Sequence, residues 1–100
     1  MASASTFLIS FTHFSLYMLY IVTYDLNTTG QRYTDLITAI KKMDYCPLLK
    51  SAWLVKSSSS AKQIYDYLLP IIDSNDHLLV AEINSNRMGW LDKEAVAFMK

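Results

Sequence analysis

The sequence predicts a single α+β domain in which strands and helices alternate along the chain. Three observations lead there. A chain of 100 residues has room for one hydrophobic core. Two segments repeat apolar residues at three- and four-residue steps, the period of a helix with one buried stripe. The segments around them are rich in β-branched and aromatic residues over strand-like lengths. With 52% of residues apolar and only two Gly and two Pro, the composition is that of a packed domain rather than a disordered chain.

The first element sits in a charge-free run. Phe7 to Tyr24, FLISFTHFSLYMLYIVTY, carries no charged side chain, and the nine basic and nine acidic residues all lie from Asp25 onward. The run barely reaches the length of a membrane helix, about 20 predominantly apolar residues. Ser10, Thr12, His13, Ser15 and Thr23 interrupt it, and no Lys or Arg flanks it on the amino side. A signal peptide would carry small residues after the apolar part, whereas ASAS precedes it. The segment Met18–Asp25, MLYIVTYD, reads instead as a strand. Leu19 and Ile21 face one side and Tyr20, Val22 and Tyr24 the other, as expected for a central strand covered on both faces. Residues 1–17 are then an N-terminal extension, preferred over a membrane anchor, and Met18 could itself be a start.

LNTTGQ after Asp25 is a turn cluster. Tyr33, Leu36, Ile37, Ile40 and Met43 predict a helix from Gln31 to Met43, with Thr29 or Gly30 near its cap, Lys41 and Lys42 in its last turn, and Arg32 and Asp35 on its exposed side. YCPLLKSAWLVK predicts two short strands, Cys46 to Leu49 and Ala52 to Lys56, the first at a sheet edge because Pro47 cannot donate to a ladder. Ser57 to Ser60 form a loop ending in a helix cap, followed by a helical stripe of Ala61, Ile64, Tyr65, Leu68 and Ile71 that Pro70 ends or kinks. DSND, Asp73 to Asp76, is a turn, and His77 to Ile83 a strand with Glu82 outward. Residues 85–100 follow the domain of residues 18–84 as a loop and a short helix from about Asp92.

This order predicts a ferredoxin-like βαββαβ sandwich, with two helices on one face of an antiparallel sheet, an N-terminal extension and a short C-terminal helix. The second face needs a cover, and the candidates are a second subunit, the extension, or the tail helix. A homodimer is the first expectation. A balanced charge excludes a global field that would draw the protein to nucleic acid or an anionic membrane, so any such contact is local. Cys46 is the only cysteine, which excludes an intramolecular disulfide and a cysteine zinc site and predicts a reducing, cytoplasmic setting.

The strand-ending YDLN, the Ser-x-Trp of SAWLVKS and the DSND turn resemble those of small bacterial and phage proteins labelled SinR-like. More distantly the chain is similar to the small CRISPR adaptation subunit and the virulence-associated protein D ribonucleases. The resemblance covers Met18 to about Ile83. The SinR label implies a DNA-binding repressor, but no helix-turn-helix pair is legible here. The nuclease-related families imply a ferredoxin-like dimer in which an aspartate ending the first strand binds a divalent metal near the two-fold axis. By position that residue is Asp25.

The residues themselves leave two readings open. In one, Asp25 is a magnesium ligand and catalytic carboxylate acting on RNA or DNA, since magnesium is commonly held by one or two carboxylates with waters and phosphates, and Asn27 and Arg32 help to position a phosphate. In the other, Asp25 and Asn27 only bond local backbone amides, and the protein is a non-enzymatic homodimeric module that docks a protein partner on its sheet face. His13 and His77 lack ligand spacing, and Cys46 reads as a buried inert thiol. Trp53, Trp90, Tyr24 and Tyr33 are expected in the core rather than stacked on bases, and Lys41, Lys42, Lys50 and Lys56 as a solvated rim.

Overall fold

The computed structural model describes residues 17–27 and 31–100. Among the described residues four strands form one antiparallel sheet: β1 (Met18–Asp25), β2 (Asp44–Leu49), β3 (Ala52–Ser57) and β4 (His77–Glu82), in the order β2-β3-β1-β4. Among the same residues three helices accompany them: α1 (Gln31–Ile40), α2 (Ala61–Leu68) and α3 (Lys93–Phe98), with a 3-10 turn at Leu69–Ile71. Residues 1–16, which hold nearly all of the expected extension, and the cap expected at Thr29 or Gly30 lie outside the described residues. Among the described residues no helix is long and apolar enough to cross a membrane, and the last third of the charge-free run is strand.

β1 is central, as its two apolar faces predict. It pairs with β3 from Met18↔Ser57 to Thr23↔Ala52 and with β4 from Tyr20↔Glu82 to Asp25↔His77. Pro47 lies in the edge strand β2, next to a register shift between Pro47 and Leu49, where its missing N–H removes no interior ladder bond. Tyr20, Val22 and Tyr24 point into a core shared with Val55 of β3, Leu36, Ala39 and Ile40 of α1, and Ile64 and Leu68 of α2. Both long helices therefore lie on one face. The buried hydroxyl of Tyr20 donates to the Ser59 carbonyl at 2.6 Å, and Tyr67 of α2 donates to the Ala39 carbonyl at 3.1 Å. The first of these satisfies a polar atom that would otherwise be costly to bury.

α1 stops at Ile40, three residues short of the expected end. Lys42 and Met43 donate to carbonyls only three residues back, a tightened turn that releases the chain toward β2, so Lys41 and Lys42 follow the helix instead of ending it. α2 begins with a reciprocal cap: Ser60 Oγ accepts from the Gln63 N–H at 3.1 Å while Gln63 Oε1 accepts from the Ser60 N–H at 2.8 Å. Pro70 falls within the 3-10 turn, which closes the helix as the sequence predicts.

The second face is closed in part by the chain itself. Cys46, Leu54 and Ala95 form a second buried cluster, joined by Leu19, Leu48, Ile83, Leu91, Phe98 and Met99. The tail helix α3 therefore covers the β2–β3 half. Toward β4 the same face is more open: Leu79 is 58% exposed, beside half-buried Ile21, Thr23 and Ala81.

Candidate functional site

Asp25 ends β1 on the face away from α1 and α2, because side chains alternate and Tyr24 points into their core. It is exposed, and its ladder partner His77 on β4 is also exposed. The two form the rim of the open half-face that contains Leu79.

Asn27 and Arg32 belong to a different arrangement, organised by Asp76, a residue not singled out by the sequence. The Asp76 carboxylate is buried, with no solvent-exposed side-chain surface. Its Oδ1 accepts from the Asn27 N–H at 2.8 Å, and its Oδ2 accepts from the Asp73 N–H at 2.9 Å. The Asn27 side chain donates to the Asn75 carbonyl at 2.7 Å. Arg32 pairs with Asp73 through Nη1 and stands 3.5 Å from Asp76 Oδ2 through Nη2. The hydrogen bonds from Asp73 and Asn27, with the Arg32 guanidinium, hold the Asp76 carboxyl below its ordinary range against the opposing effect of burial. The result is a clamp joining the loop after β1 to the DSND turn before β4.

This geometry corrects the expectation that Arg32 lies on the exposed side of its helix: its side chain is only 26% exposed. It also bears on phosphate binding. Two carboxylates face one guanidinium here, so the cluster is net negative before Asp25 is counted, and an incoming phosphate would have to displace Asp73. The DSND turn was legible as a turn, but its long-range partner was not, since Asn27 and Asp76 lie 49 residues apart.

The remaining candidates fall as follows. Among the described residues no group of three or more His, Cys, Asp or Glu side chains is placed to hold a metal ion. His13 lies outside the described residues. Cys46 is buried, as expected. Trp53 packs against the core and donates to the Tyr24 hydroxyl at 3.0 Å, with Tyr45 edge-on and Lys41 Nζ 5.9 Å from its ring centre. Tyr24 and Tyr33 meet edge to face at 5.6 Å. Trp90 departs from expectation: it is fully exposed, as is Met88. The segment between β4 and α3 runs past the edge of the second cluster, to which it contributes Ile83 and Leu91 but not Trp90.

No protein-family model matches the chain, and no curated protein matches it.

Proposed function

We propose that the protein is a homodimeric ferredoxin-like βαββαβ domain that acts on nucleic acid at the rim of its open sheet face, with Asp25 as the working carboxylate. The sheet order supports the fold assignment: read from the other edge it is β4-β1-β3-β2, with the paired helices on one face. The observation that carries the site is Asp25 itself, exposed at the end of the central strand beside a half-face whose Leu79 is left to solvent. Docking a second copy over that half-face buries Leu79, Ile21 and Ala81 and brings a second Asp25 to the same rim. One chain supplies a single carboxylate there. Magnesium suits such a site because it is held by one or two carboxylates with waters and substrate phosphates, and when bound it would polarise a phosphodiester. Asn27 and Arg32 serve the site by fixing the loop after Asp25 through Asp76.

The test is cleavage and binding of labelled RNA and DNA with and without magnesium. Magnesium-dependent cleavage lost in Asp25→Ala is the expected result; cleavage that survives the substitution removes the mechanism.

A second reading is favoured by the committed state of Arg32. With its guanidinium held by Asp73 and Asp76, the protein is an interaction module and Asp25 is a turn residue. That reading predicts neither cleavage nor binding of nucleic acid, and a dimer that persists in Asp25→Ala.

A further inference from the structure

A second cleft lies at the opposite end of β1 from Asp25. The six residue steps from Leu19 to Asp25 set the two ends roughly 20 Å apart at the rise of a strand. The cleft encloses about 500 Å³, within the range of about 300–1,000 Å³ usual for small-molecule pockets. Its lining side chains include three cations, Lys56, Arg87 and Lys100, and no carboxylate; Tyr17, Leu19 and Met99 supply the apolar wall.

We propose that this cleft binds a phosphate carried on an aromatic body, either a nucleoside 5′-monophosphate or the 5′-phosphorylated end of a strand. Three positive charges on a protein of zero formal net charge are a local concentration that composition does not account for. None of the three makes an ion pair among the described residues. Asp44 lies across from Lys56 in the β2–β3 ladder, yet it neither lines the cleft nor pairs with the lysine.

Two of the cations are also held in place. Arg87 donates through Nη2 to the Met99 carbonyl at 2.7 Å and through Nη1 to the Asn84 carbonyl at 3.4 Å, which uses two of its five N–H donors. Lys56 Nζ lies 4.6 Å from the centre of the Phe98 ring. A guanidinium and two ammonium groups lining one cleft suit a phosphomonoester dianion better than a single carboxylate, and burying one there offsets the mutual repulsion of the cations. Tyr17 and Met99 offer a base the flat and polarisable contacts that nucleobases favour.

The experiment uses the full chain in EDTA at about 50 mM salt, where surface charge is not fully screened. AMP, adenosine, inorganic phosphate, and short oligoribonucleotides with 5′-phosphate or 5′-hydroxyl ends are titrated by calorimetry. The expected result is binding that requires the phosphate: AMP well above adenosine, or the 5′-phosphorylated strand well above its hydroxyl counterpart. Lys56→Met and Lys100→Met should each weaken it about tenfold, the loss of one charge-assisted contact. AMP binding alone assigns the free nucleotide; binding of the phosphorylated strand alone assigns the strand end. Arg87→Gln can loosen α3, so the two lysine variants carry the decision, with circular dichroism as the folding control. Absence of binding by every phosphorylated probe, equal affinity with and without the phosphate, or affinity unchanged in both lysine variants overturns the proposal. The measurement needs neither magnesium nor Asp25, and binding retained in Asp25→Ala separates this cleft from the rim site.

Discussion

Replacing Leu54 by Ala tests how the second sheet face is closed. Leu54 is fully buried, at 0% exposure, between Cys46 and Ala95 of the tail helix. The substitution removes three carbons from a site roofed by a six-residue helix. Leu→Ala changes in rigid cores cost about 3–5 kcal/mol, and the cost falls where neighbours can settle into the space. A short terminal helix settles more easily than a strand, so the expected loss is about 3 kcal/mol, or roughly 12–24 °C in Tm for a domain of this size. The assay is urea unfolding followed by fluorescence. Trp53 is partly buried and reports the transition, while fully exposed Trp90 contributes little change. The paired control is Leu79→Ala on the open half of the same face, expected to cost less than about 0.5 kcal/mol in the monomer. A Leu54→Ala cost below about 1 kcal/mol, or equal to that of Leu79→Ala, would refute the view that α3 seals this half. A Leu79→Ala cost that grows with protein concentration would instead report a dimer over the open half.

Two further outcomes follow from the loops. Because the folded-state pKa of Asp76 is depressed, its contribution to stability is complete above the unfolded value of about 4 and is lost as pH falls through the folded value. Asp76→Asn should therefore be less stable than wild type at pH 7 and lose less on acidification, as read by chemical denaturation across pH 2–7; parallel curves for the two proteins would show that the clamp does not depend on the charge. Ser60→Ala removes one half of the reciprocal cap on α2 and should cost about 1 kcal/mol, with Ser60→Gly costing less, measured by the same unfolding assay.

Some features were legible because they depend on neighbours in sequence. The four-residue steps of Leu36 and Ile40, and of Ile64 and Leu68, marked the apolar stripes that both long helices bury in a common core. Pro47 marked its strand as an edge and Pro70 the end of a helix, since each lacks the N–H that an interior position requires. The missed end of α1 is a different case. Met43 continues the apolar period and still packs against the core, but does so from the turn after the helix, and periodicity alone does not distinguish the two.

The amino-acid order by itself determined the alternation of strands and helices, the apolar character of both faces of β1 and the position of Asp25 at its end, because apolar period and backbone preference act over a few residues. Only the tertiary structure decided that Asp76 would take up Asn27 and Arg32, that α3 would cover half of the sheet, and that Lys56, Arg87 and Lys100 would meet at one cleft. Those side chains are brought together from distant parts of the chain, up to 49 residues apart in the case of Asn27 and Asp76. Their meeting depends on how the strands are ordered in space, and no local pattern of residues encodes that.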